Sequence, residues 1–138
     1  MKGTVLIIDE NTETLELLKR IIEKEGFKTE LAKDGEKGLS YAQSDLPEII
    51  VLERLLPVVN GLQVCRRLKE REETRAIPLI FLSVLDTEQD VIEGLRAGAD
   101  DYVKKPFSPD ELVARIERVL ERCGTHRKPN RQGECTDE

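Results

Sequence analysis

An open, doubly wound α/β sheet of five parallel strands flanked by five helices is predicted by three observations. Short apolar runs alternate with stretches of helical periodicity along the whole folded part. Most of the runs are continuously apolar, as strands buried on both faces must be. Capping residues and glycines mark the helix ends.

The first strand is Val5-Leu6-Ile7-Ile8. Asn11 or Thr12 caps the helix that follows, Leu15, Leu18 and Ile22 form its apolar stripe, and Gly26 ends it. Phe27, Thr29 and Leu31 alternate, which predicts a second strand with one wetter face. A weaker helix runs from about Gly35 to Gln43, softened by Gly38. Ile49–Leu52 is the third strand and Leu62–Glu70 the third helix. Pro78 opens the fourth strand, Leu79–Leu82, and a helix from about Glu88 to Ala97 ends at Gly98. Tyr102-Val103 is a short fifth strand. In the last helix Ser108 is the N-cap, Pro109 takes the first position and Glu111 completes a capping box. Leu112, Ile116, Val119 and Leu120 are its buried stripe.

The 138 residues suit one domain, residues 1–123, followed by a polar tail, 124–138, expected to be disordered: a terminus or a linker to an output domain. With 38% hydrophobic and 36% charged residues and no Trp, the profile is soluble and globular. A net charge of −6 argues against a general nucleic-acid or acidic-membrane footprint. No apolar run is long enough for a bilayer, and the first is too short for a signal peptide, so a cytoplasmic location is expected. Cys65, Cys123 and Cys135 have no metal-ligand spacing and read as reduced thiols. The single histidine, His126, lies in the tail, which argues against histidine-based catalysis.

In open parallel sheets, ligands sit beyond the carboxyl ends of the strands. The residues just past the apolar runs are Asp9-Glu10, Glu53, Ser83 and Lys105. Three carboxylates, a hydroxyl and an amine are thus expected at one edge. The carboxylates are hard oxygen ligands of the kind Mg2+ prefers. Ser83 suits a phosphoryl oxygen, and Lys105 its charge. Each alone would more often be a capped loop or a solvated charge; their shared location argues otherwise.

These residues lie in stretches that resemble a response-regulator receiver domain: residues 5–10, Pro47–Glu53, Leu56-Pro57 through Asn60-Gly61, Ile77–Ser83 and Ala97–Phe107. The similarity covers roughly Lys2 to Cys123 and implies a flavodoxin-like fold of the receiver type. It implies that Asp9, Glu10, Glu53 and the Leu55 carbonyl form the Mg2+ site. Ser83 would be the switch hydroxyl, Tyr102 the switch aromatic and Lys105 the phosphoryl partner, with a cis bond before Pro106. The implied partner face carries Arg96, Asp100, Asp101, Lys104, Glu111, Arg115 and Arg118. Its mixed charges suit a homodimer through the fourth helix, fifth strand and fifth helix, or alternatively a merely solvated surface. The implied protein partners are a histidine kinase or an output protein.

Glu53 departs from the family, which has a phospho-accepting aspartate there. One more methylene moves the carboxylate outward by about 1.5 Å, and a displacement near 1 Å costs a positioned reaction on the order of 10²-fold. The longer side chain is expected to reach Lys105 or Ser83 and partly imitate a phosphoryl group. Glu10 is a milder departure. Val84, where the family usually has a small residue, is expected to narrow access for a phosphodonor. If the third strand extends to Arg54, that residue points to the opposite face from Glu53.

The expected function is therefore a receiver that acts through regulated protein contacts, not an enzyme, with Mg2+ binding weakened or lost. Alternatives are a conventional regulator with a non-standard acceptor, or a small metal-dependent phosphoryl-transfer enzyme. The second needs a lid that the chain has no insertion to supply. A flavin or nucleotide binder would need a glycine-rich loop where Asp9-Glu10-Asn11-Thr12 stands. No helix-turn-helix pattern follows Arg122.

Overall fold

The computed structural model describes residues 2–123. The tail 124–138, with His126 and Cys135, lies outside the described residues. The elements are β1 (Thr4–Ile8), α1 (Thr12–Glu23), β2 (Lys28–Ala32), α2 (Gly35–Asp45), β3 (Ile49–Leu52), α3 (Gly61–Glu70), β4 (Leu79–Ser83), α4 (Glu88–Arg96), β5 (Asp101–Lys104) and α5 (Pro109–Cys123). The five strands are parallel, in the order β2-β1-β3-β4-β5. This is the predicted doubly wound sheet, and β1 and β3 are the neighbours between which the strand order reverses.

Alternation along each strand divides the core into two layers. Leu6 and Ile8 of β1 join Ile50, Leu52, Leu79 and Phe81 on one face, under Val64 and Leu68 of α3. Val5 and Ile7 join Val51, Ile80 and Leu82 on the other, against Leu15, Leu18 and Ile22 of α1 and Leu112, Ile116 and Val119 of α5. Both sheet faces are dry, which is why the central strands read as unbroken apolar runs. Each such side chain contributes about 1.5–3 kcal/mol by burial.

The helix starts follow the cap chemistry. Asn11, not Thr12, is the N-cap of α1, accepting from Thr14 N–H at 2.8 Å. Asn60 and Gln63 form a reciprocal capping box on α3, as Thr87 and Asp90 do on α4. The box expected on α5 is only half formed. Ser108 Oγ accepts from Glu111 N–H at 3.3 Å, whereas Glu111 Oε2 accepts from Arg115, a stronger charged donor one turn away. Leu120 of the expected stripe is only half-buried.

Candidate functional site

Three backbone hydrogen bonds carry the sheet ladder one residue past the strands and so fix the site. Asp9 N–H donates to Ala32 at 3.0 Å, Glu53 N–H to Ile8 at 3.0 Å, and Lys105 N–H to Ser83 at 2.8 Å. Asp9, Glu53 and Lys105 therefore emerge at the same sheet edge, beside Ser83 at the end of β4. The α3 N-terminus packs tightly against this edge. Gly61 N–H donates to the Arg54 carbonyl at 2.9 Å, and a Cβ at Gly61 would lie 2.5 Å from the Glu53 carbonyl oxygen.

Lys105 Nζ sits between two buried carboxylates, 2.8 Å from Asp9 Oδ2 and 3.0 Å from Glu53 Oε1. Both acids are 4% exposed. Burial works against the lysine charge, but hydrogen bonds to Asp9 and Glu53 outweigh it and leave the Lys105 pKa raised. Glu53 Oε2 accepts a short hydrogen bond from the Ser83 hydroxyl and another from Leu55 N–H at 2.9 Å. The other Asp9 oxygen accepts from Asn11 N–H at 2.9 Å. Ser83 Oγ also accepts from Leu85 N–H at 3.1 Å, and the Leu85 carbonyl accepts from the Tyr102 hydroxyl at 2.6 Å. A continuous chain of hydrogen bonds thus runs from Lys105 to Tyr102, whose ring is buried beside Phe81. The bond between Lys105 and Pro106 is cis, as expected.

Of the three carboxylates expected at this edge, Asp9 and Glu53 share Lys105. Asp9 turns inward, and Glu10, in the bend between β1 and α1, is exposed. Leu55 enters the site through its N–H, with its side chain half exposed. Val84 is half exposed at the rim. The donors also do not fit a divalent cation in this arrangement. Both Glu53 oxygens are engaged, Asp9 is held by Lys105, and Glu10 faces solvent. Among the described residues no three His, Cys, Asp or Glu side chains converge on a point that could hold a metal ion.

The partner-face residues lie on α4, the loop after it, β5 and α5. Arg96, Lys104, Glu111 and Arg118 are exposed. Much of the face is paired within the chain: Arg115 bridges Asp101 at 3.0 Å and Glu111 at 2.9 Å, and Arg118 approaches Asp101 at 3.4 Å. Asp100 accepts from Leu79 N–H at 2.9 Å and lies 4.0 Å from Arg122.

Sequence reasoning missed the partners of Arg54. β3 stops at Leu52, and Arg54 turns under α4, only 7% exposed. It donates to the Asp90 carbonyl at 2.7 Å and to Glu93 Oε1 at 3.0 Å. The available signal was an acidic pair three residues apart on a helix with a thin apolar stripe.

The response regulator receiver domain family matches residues 5–117. The chain is 38% identical over 122 residues to the alkaline phosphatase synthesis transcriptional regulatory protein PhoP of Bacillus subtilis, covering 88% of this chain and 50% of that protein. It is 40% identical over 122 residues to the phosphate regulon transcriptional regulatory protein PhoB of Rhizobium meliloti, covering 88% and 54%. The chain thus spans about half the length of the curated relatives it matches. Among solved structures, the Francisella response regulator 1452 receiver domain superposes with a TM-score of 0.81 at 32% identity, covering 87% of this chain and 98% of that one. With its strand order, its sheet-edge site and 113 of its residues (5–117) matched, this chain belongs to the response regulator receiver domain family of two-component signalling.

Proposed function

We propose that this receiver acts as a binding module that signals through protein contacts without the usual aspartyl-phosphate cycle. The observation that carries this reading is the engagement of both Glu53 oxygens. Its carboxylate already holds an ammonium, a hydroxyl and a backbone N–H, the donor types that would stabilise a phosphoryl group. A phosphodonor meets two carboxylate oxygens that both already hold donors, and attack competes with these bonds. Glu53 thereby stands in for the phosphoryl group, with less charge, and holds Ser83 and Tyr102 in one arrangement. Mg2+ affinity is weak, because the cation competes with Lys105 for Asp9 and Glu53.

The partners are proteins of a two-component system, a kinase or an output protein. A homodimer through α4, β5 and α5 uses the mixed charges of that face; sedimentation that stays monomeric over a wide concentration range overturns it. The full-length relatives are named transcriptional regulators, and regulation of gene expression is the whole-protein role this similarity suggests, with no direct nucleic-acid contact by this domain. The central test incubates the chain with acetyl phosphate and Mg2+ and weighs it intact. The expected spectrum is unmodified protein, and a stable phosphoryl adduct at Glu53 overturns the reading.

A further inference from the structure

α4 is anchored differently from the other helices. Gly94 is its one fully buried residue among the described residues, whereas α1, α2, α3 and α5 each bury three or four. Val91 packs only in part against the core. An apolar seat this thin leaves the helix at the low-stability end of the fold. The polar anchor is Arg54, whose guanidinium reaches the Asp90 carbonyl at 2.7 Å, the Glu93 carboxylate at 3.0 Å and the Asp90 carboxylate at 3.8 Å. A planar fork is needed to hold a backbone carbonyl and a carboxylate one turn apart, and lysine cannot reproduce it. The Tyr102 ring lies under the same helix, close enough that a Cβ at Gly94 would be 2.8 Å from it.

We propose that Arg54 is a positioning residue that fixes α4, and with it the Arg96 side of the partner face, in a single arrangement with Tyr102 buried beneath it. This assignment does not depend on Glu53 mimicking a phosphoryl group. Arg54 acts from the loop after β3 directly on α4, and it also interacts with the Tyr102 side chain at the end of the Ser83–Leu85–Tyr102 chain.

The test is hydrogen exchange of the full chain carrying Arg54→Met, which keeps the side-chain volume and removes the fork. Because a thinly seated helix opens locally, amides of α4 are expected to exchange at least about 10-fold faster, while α1 and α5 keep wild-type rates. A second readout uses the tyrosine content. The chain has two tyrosines and no tryptophan, so Tyr41→Phe leaves Tyr102 as the one emitter. In that background Arg54→Met is expected to raise acrylamide quenching at least about 2-fold as the ring becomes accessible. Arg54→Lys should fall between. Unchanged α4 exchange and quenching in Arg54→Met overturn the proposal, as does faster exchange spread evenly over all helices, which marks a general stability effect. If Arg54→Met does not fold, Glu93→Ala, at a half-exposed position, tests the same clamp. Faster exchange confined to α4 supports it, and wild-type exchange overturns it. Phosphorylation of wild-type protein would sink the Glu53 reading and leave these outcomes intact.

Discussion

The Lys105 ammonium lies 3.0 Å from the Glu53 carboxylate, across 52 residues of chain, and also holds Asp9 at 2.8 Å. Two buried acids thus share one cation. Lys105→Met leaves both carboxylates without it, and removing one partner of a buried charge cluster costs on the order of 3 kcal/mol. Urea unfolding at neutral pH should show this loss. The pH dependence has a defined sign. The folded Lys105 pKa is raised above its unfolded value, so the contribution is full below about pH 10.4 and is lost as pH rises through the higher folded value. The stability gap between wild type and Lys105→Met should therefore stay level to about pH 9–10 and shrink above it. A gap that widens with alkalinity contradicts the pairing.

Glu53→Asp shortens the side chain by one methylene. The shorter carboxylate withdraws from Ser83 and Lys105 and leaves space where a phosphoryl group or cation would sit. Acetyl phosphate with Mg2+ should then yield a phosphoryl adduct, at least about 10-fold more than in wild type, given the on-the-order-of 10²-fold sensitivity of positioned reactions to 1 Å. Intact-mass spectrometry reads the result. Equal labelling of both proteins would mean that the methylene is not the block.

Val58 is 96% exposed and holds φ at +65°, a conformation that strains a β-branched side chain. It makes the turn after Pro57, where Val59 re-enters the core. An L residue there costs about 1–2 kcal/mol, and glycine returns part of this gain through its unfolded-state entropy. Val58→Gly should therefore stabilise by roughly 0.5–1 kcal/mol, visible as a higher urea midpoint with unchanged slope. A loss of stability would point to a packing role for the Val58 methyls.

The strands were legible because burial on both faces leaves apolar runs with few competing readings. Bringing Asp9, Glu53, Ser83 and Lys105 to one edge needed only the topology, because three of them directly follow a strand and Ser83 ends one. The exposure of Glu10 was not legible, because it depends on the bend between β1 and α1, which residue types alone do not specify. The partners of Arg54 were not legible. Its face follows from strand alternation only if β3 reaches it; β3 ends at Leu52, and the loop turns Arg54 under α4. The half-formed box on α5 is a competition between Ser108 and Arg115 for Glu111, which no pattern of residue types settles.

Gly94 stands in the middle of α4, where alanine would ordinarily add about 1 kcal/mol of helix stability. Here an added Cβ would lie 2.8 Å from the Tyr102 ring and 3.1 Å from Phe81. Phe81 is fully buried in the sheet and has nowhere to go. Tyr102 is on the edge strand β5 and slightly less buried than Phe81, so its ring is the one that yields. Yielding breaks the 2.6 Å bond from its hydroxyl to the Leu85 carbonyl. Overpacking costs about 1–3 kcal/mol, which offsets or exceeds the helix gain. Gly94→Ala should therefore be neutral to about 2 kcal/mol destabilising, not stabilising. In the Tyr41→Phe background it should also raise acrylamide quenching of Tyr102. A stabilised variant with Tyr102 still shielded would show that α4 shifts away from the sheet as a body, taking the Arg54 contacts with it.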